Sequence, residues 1–220
     1  MFPILMLGSG VFWTATYVLI IRKSIQDRTY GMPLAALCAN ISWECIFSFL
    51  LPSPGIQQVV NIAWFLLDLG IVVCFLRYGR DEFADLSKGA FMALFGLTLA
   101  TSFGAVLLVT LEFHDHGTYA AFGQNLMMSI LFIIMLLRRR SLRGQSLSIA
   151  LCKLIGTAFA SLAFFLYTSI SQHSILLPFL YVAILVYDLI YVALIYMLQR
   201  AARRTVQESA LSSKQRELSL

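Results

Sequence analysis

Seven apolar runs, each about as long as a bilayer-spanning helix, follow one another with short polar breaks between them. They cover roughly 2–21, 32–51, 58–77, 89–111, 118–137, 147–169 and 176–199. A backbone in hydrocarbon must satisfy its own hydrogen bonds, so such runs fold as helices or as strands of a closed barrel. None shows the alternation of a lipid-facing strand about ten residues long. The sequence therefore predicts an all-α polytopic membrane protein, a seven-transmembrane-helix bundle over 1–200 with a polar, frayed tail at 201–220. Composition agrees: 60% of the 220 residues are hydrophobic and 12% charged, against about 45–50% and 25% in soluble domains. A soluble enzyme, a disordered chain and a disulfide-stapled module are excluded. The first run lacks a basic flank and a cleavage site, so it reads as a retained helix rather than a signal peptide.

Charge gives the expected orientation. Of the 16 Lys and Arg residues, none lies in the breaks at 52–57, 112–117 or 170–175. Arg22, Lys23 and Arg28, then Arg77, Arg80 and Lys88, then Arg138, Arg139, Arg140 and Arg143, flank the alternate breaks. Lys153 lies within two turns of the same side, where its stem is expected to snorkel. The positive-inside rule then places the N-terminus outside or in a lumen and the C-terminus in the cytoplasm. The basic balance reflects these loops, so no nucleic-acid partner is expected. Cys38, Cys45, Cys74 and Cys152 lie in apolar runs without metal-ligand spacing and read as small hydrophobes.

Ionisable groups inside spans are costly and commonly functional. At 1.5 Å rise per residue, Glu44, Asp68 and Asp188 lie about 12, 15 and 18 Å from the end opposite the basic loops. No Arg, Lys or His is expected at that depth, and Lys153, the nearest base, lies closer to the basic end. A carboxylate there loses hydration, which favours the neutral, proton-carrying form. Glu44 and Asp188 are the expected catalytic acids. Asp68 is either a third member or half of a buried bridge to Lys153. Helical spacing surrounds the acids with Asn40, Trp43, Trp64, Asn125, Tyr187 and Tyr191 as the expected substrate-binding lining. Ring faces stabilise cations at close range. Asn61 reads as a tie between helices. His114 and His116, with Glu112 and Asp115, read as a solvated loop, and neither metal nor cofactor is expected.

The run Tyr30-Gly-Met-Pro…Asn40-Ile-Ser-Trp43-Glu44 resembles the second-helix signature of the membrane-bound terpene cyclases of fungal meroterpenoid and indole-diterpene pathways, which have bacterial relatives. Tyr187-Asp188-Leu-Ile-Tyr191, Gly123-Gln-Asn-Leu-Met-Met-Ser129 and Gly144-Gln-Ser146 are similar to further parts of that family. The resemblance spans about residues 10–200. It implies a non-metal cyclase whose essential acids match Glu44 and Asp188. It also implies a substrate with a farnesyl or geranylgeranyl chain on an aromatic, polyketide or indole head. A pathway prenyltransferase and a flavin epoxidase would be functional neighbours. The site would be the endoplasmic reticulum in a fungus or the plasma membrane in a bacterium.

A rival reading is a proton-coupled transporter. Ala63–Val72 and Ala183–Val192, 120 residues apart, share four of ten positions, as a 3+1+3 repeat would. The five prolines, Pro3, Pro33, Pro52, Pro54 and Pro178, all fall at run ends, which disfavours the hinged helices of a carrier.

Overall fold

The computed structural model describes the backbone of residues 1–218 and the side chains of 1–202. Among the described residues the regular structure is entirely helical. The elements are α1 (Phe2–Asp27), α2 (Leu34–Cys45), α3 (Ile56–Tyr78), α4 (Lys88–Glu112), α5 (Thr118–Arg139), α6 (Leu147–Tyr167), α7 (Ser169–Gln172) and α8 (Leu176–Leu218). A π segment, Ile46–Leu50, continues α2, and a 3-10 turn, Gly79–Phe83, follows α3.

Among the described residues, six helices are long and apolar enough to cross a membrane. The second run is a shorter apolar helix, Leu34–Leu50. It is bounded by Pro33 on one side and by Pro52, Pro54 and Gly55 on the other, none of which continues a helix readily. The expected span, 32–51, is about a turn longer than this helix. The last apolar span runs Leu176–Ala202, close to the expected 176–199, and the backbone of α8 continues as helix to Leu218. Most of the expected polar tail at 201–220 lies outside the residues whose side chains are described.

Local chemistry sets the helix starts. Ser87 and Ser146 accept hydrogen bonds from the backbone N–H groups of Ala90 and Ile149, each at 3.2 Å. These bonds satisfy donors that a helix N-terminus leaves free. Asp115 does the same for α5, accepting from Gly117 N at 3.1 Å and Tyr119 N at 2.8 Å.

In the bundle, α1 packs on α3 and α6, α2 on α3, α4 and α5, and α8 on α5 and α6. The shared core includes Tyr17, Ile20, Met32, Leu37, Phe75, Phe132 and Tyr191. Gly156 permits the close α1–α6 approach: a Cβ there would lie 3.0 Å from the Trp13 ring.

The basic end is closed by a clamp built from three loops. Arg139 donates to Glu82 Oε2 at 2.9 Å, to the Tyr30 carbonyl at 3.0 Å and to the Arg143 carbonyl at 2.9 Å. Its guanidinium stands 4.3 Å over the Tyr30 ring. Thr29 donates to Glu82 Oε1 at 2.6 Å, and Gly144 N to Asp27 Oδ2 at 2.8 Å. Gly144 has φ +71°, and a Cβ there would fall 2.6 Å from the Tyr30 carbonyl oxygen. The Tyr30-Gly-Met-Pro and Gly144-Gln-Ser segments thus meet here, so much of that pattern serves loop closure. The loops after α1, α3 and α5, which carry the basic residues, lie together at this end.

Candidate active site

Asn40 and Glu44, one turn apart on α2, face Tyr17 of α1 and Asp68 of α3. Asn40 Nδ2 donates to Asp68 Oδ2 at 2.7 Å and to the Tyr17 hydroxyl oxygen at 2.6 Å. The Tyr17 hydroxyl in turn donates to Glu44 Oε1 at 3.4 Å. All four side chains are buried. Glu44 Oε2 and Asp68 Oδ1 are enclosed without any hydrogen-bond partner. Among the described residues no Lys, Arg or His forms an ion pair with either carboxyl. An ionised carboxylate so enclosed, with no counter-charge among the described residues, would cost several kcal/mol. The arrangement is chemically suited to two carboxyls carrying protons, joined through an amide and a phenol.

Asp188 is different. Its two oxygens lie 2.7 and 2.9 Å from Lys153 Nζ, which also donates to Ser129 Oγ at 2.7 Å. Lys153 and Asp188 are both 1% exposed. This corrects two expectations. Lys153 does not snorkel toward the basic loops, and its partner is Asp188 rather than Asp68. The backbone of residue 153 is near the basic end, as expected, but a four-carbon stem carries the ammonium toward mid-depth. Asp188 is therefore locked to an ammonium, the pairing that weighs against it as a free acid.

The expected lining separates into three groups. Tyr191 is buried, and Trp64 is half-buried with its indole N–H turned to an exposed threonine. The Trp64 ring meets Tyr17 edge-on at 6.2 Å, and its indole N–H donates to Thr14 at 2.9 Å. Tyr191 is buried against Phe132 and donates to Gln145 Oε1 at 2.8 Å. Trp43 and Asn125 act as ties. Trp43 donates to the Gly117 carbonyl at 2.9 Å and packs on the Phe47 ring at a tilt of 41°. Asn125 donates to Thr157 at 3.0 Å, leaving its Oδ1 buried and unpartnered. Tyr187, at 37% exposed, points out of the bundle, one position round the helix from Asp188. Asn61 ties α3 to Ser53 and to the Phe47 carbonyl, as expected of a structural amide.

Tyr17, Trp13 and Lys153 carry more of the interior chemistry than the sequence reading assigned. The Trp13 ring lies 5.8 Å from Lys153 Nζ and 5.8 Å from the Tyr17 ring. One turn of α1 thus spans the space between the Glu44–Asp68 cluster and the Lys153–Asp188 pair. A phenol in the middle of an apolar run is the signal that could have found Tyr17, because a buried tyrosine hydroxyl seeks a partner. A cavity of about 280 Å³ lies between α6 and α8. It reaches Asp188 and Thr157, and Glu44, Asp68 and Asn40 do not line it.

Comparison with known proteins meets this geometry. The family model for Pyr4-like transmembrane terpene cyclases matches residues 1–201. The Pyr4-family terpene cyclase mfmH of Annulohypoxylon moriforme is 33% identical over 73% of this chain and 68% of its own length. Terpene cyclase penB of Penicillium crustosum is 32% identical over 72% of this chain and 69% of its own. Asnovolin H synthase nvfL of Aspergillus novofumigatus is 28% identical over 68% and 66%. No solved structure matches. With its multi-pass apolar helices, the chain belongs to the Pyr4-like transmembrane terpene cyclases, membrane enzymes of terpene cyclisation.

Proposed function

We propose that this membrane terpene cyclase acts by acid initiation, and that Glu44, supported by Asp68, Asn40 and Tyr17, supplies the first proton. The observation that carries the reading is a pair of buried carboxyls, each with an unpartnered oxygen and no counter-ion among the described residues. The substrate is a farnesyl or geranylgeranyl chain on an aromatic, polyketide or indole head, epoxidised beforehand by a flavin enzyme. Several of the fungal relatives bear on that class by kind rather than by substrate.

The carboxyl proton passes to the oxirane oxygen and the C–O bond opens to a hydroxyl. The nearest alkene π pair closes a C–C bond and moves the positive charge along the chain. Loss of one proton from the last cation restores the balance, so the reaction is an isomerisation. An olefin protonated at carbon would follow the same sequence. Asp188 remains in the proposed catalytic set as an anion held by Lys153, a fixed counter-charge for the migrating cation. Trp13 and Tyr17 lie between the two centres and offer ring faces to that cation. Trp64 and Tyr191 complete the aromatic surroundings, while Trp43, Asn125 and Tyr187 are assigned supporting rather than contacting roles.

The basic loops set the proposed orientation, with the clamp in the cytoplasm and the N-terminus in the lumen. The fungal relatives favour the endoplasmic reticulum membrane as its site.

The test is Glu44→Gln in microsomes fed an epoxyfarnesyl-aromatic substrate. The amide keeps the shape and can still accept from Tyr17, but has no proton to give. Turnover is expected to fall at least about 100-fold, with insertion unchanged. Wild-type turnover in this variant overturns the assignment.

A further inference from the structure

Gln145 is a polar side chain in a place that offers it little. It is fully buried in the short loop before α6. Among the described residues its side chain makes one hydrogen bond, Oε1 accepting from the Tyr191 hydroxyl at 2.8 Å. Its Nε2 is enclosed without a partner. A buried amide with idle donors costs stability that an apolar residue of the same size would not. Packing therefore does not account for it. What the amide does is hold the tip of one ring on α8.

The loop makes that hold rigid. Gly144 N donates to Asp27 Oδ2 at 2.8 Å, and Gln145 N donates to the Leu142 carbonyl at 3.0 Å. Arg139 secures the Arg143 carbonyl at 2.9 Å, and Ser146 caps α6 through the Ile149 N–H. The backbone on both sides of Gln145 is thus tied to the clamp or to α6.

Tyr191 stands where ring placement matters. It follows Asp188 on α8 by three residues, and Phe132 follows Ser129 on α5 by the same step. Ser129 and Asp188 both bind Lys153, and the Phe132 and Tyr191 rings pack 5.5 Å apart. Both helices run toward the clamp, so the ring pair lies about 4.5 Å beyond the ion pair. In the proposed reaction the charge starts at Glu44 and is balanced at Asp188, so rings beside Asp188 meet it late. Attraction of a cation to a ring face is short-ranged, and misplacement by about 1 Å changes rates strongly. The Tyr191 ring is held at one end by its helix and at the other by Gln145.

We propose that Gln145 is a positioning residue. Through the Tyr191 hydroxyl it sets the ring offered to the late cation, and so governs how far ring closure runs before a proton is lost. A cation beside a misplaced ring loses its proton early and leaves a partly cyclised isomer of the full product. The proposal rests on the cyclase reading for its reaction, and it links the loop clamp to the choice of product.

The test is the product ratio, which is read per cyclised molecule and does not depend on how much enzyme folds. Microsomes are fed the epoxyfarnesyl-aromatic substrate. Gln145→Met keeps the bulk and removes the acceptor, and is expected to raise the partly cyclised share at least about fivefold. Tyr191→Phe keeps the ring and removes the donor, and is expected to give the same shift. The double variant is expected to shift no further than either single one, because both remove one bond. Gln145→Glu can still accept from Tyr191 and is expected to stay near the wild-type ratio. A wild-type ratio in Gln145→Met, additive shifts in the double variant, or no rescue by Gln145→Glu overturns the positioning role. Wild-type enzyme that leaves the substrate uncyclised removes the reaction reading itself. Full turnover in Glu44→Gln removes the acid assignment alone, so the failures are distinguishable.

Discussion

Lys153 Nζ lies within 2.9 Å of both carboxylate oxygens of Asp188, and the two side chains are equally buried. This bond joins α6 to α8, and through Ser129 it reaches α5. Removing one member of a buried pair strands the other charge, at a cost of about 3–5 kcal/mol. Lys153→Met is therefore expected to lower the melting temperature sharply. Lys153→Met combined with Asp188→Leu removes both charges and is expected to recover most of that loss. If Asp188 serves only packing, activity returns with stability in the double variant. If it serves as counter-charge, the double variant is folded and inactive. Melting in detergent and turnover in microsomes, measured on the same preparations, separate the two.

Tyr17 bridges the acid cluster without being an acid itself. Its hydroxyl accepts from Asn40 and donates to Glu44. Tyr17→Phe keeps the ring contacts with Trp13 and Trp64 while removing that oxygen. It leaves one Asn40 N–H unpaired, for which the expected loss is about 1–3 kcal/mol. Turnover is expected to fall about tenfold or more, with the pH profile of kcat displaced because Glu44 loses its neighbour. Tyr17→Ala, by contrast, removes the ring as well and is expected to lose both stability and turnover. An unchanged pH profile in Tyr17→Phe would limit the hydroxyl to a packing role.

The parts of this arrangement visible in the sequence follow from helical repetition. The i and i+4 placement of Asn40 and Glu44, and the depth of Asp68, required only a rise per residue. The Lys153–Asp188 bond was not visible for a physical reason: depth was assigned by backbone position, and a lysine ammonium reaches far from its backbone. Tyr17 is not legible in the same way, because tyrosine in an apolar run reads as bulk until its hydroxyl is asked for a partner. Tyr187 adjoins Asp188 in the chain and so reads as lining, but the next residue on a helix turns about 100° away. The loop clamp was out of reach. Its contacts join Tyr30, Glu82, Arg139 and Gly144 across three loops, and no periodicity encodes which loops meet.

That clamp yields the last prediction. Glu82 receives Arg139 and Thr29 at once, and Arg139 also secures the Tyr30 and Arg143 carbonyls. A guanidinium serves all of these because its five N–H groups form a planar fork. Lysine offers a single ammonium without that fork, so Arg139→Lys is expected to behave as a loss rather than a conservative change. Arg139→Lys and Glu82→Gln should each speed proteolytic nicking of the 79–87 and 140–146 loops from the basic side. Gly144→Ala should do the same, because its φ of +71° and the nearby Tyr30 carbonyl leave no room for a Cβ. Limited proteolysis of sealed microsomes checks this and orientation together. If the clamp lies in the cytoplasm, a protease added outside the vesicles cuts the variants faster than wild type. Protection of all variants until the vesicles are opened would place the clamp in the lumen and reverse the proposed topology.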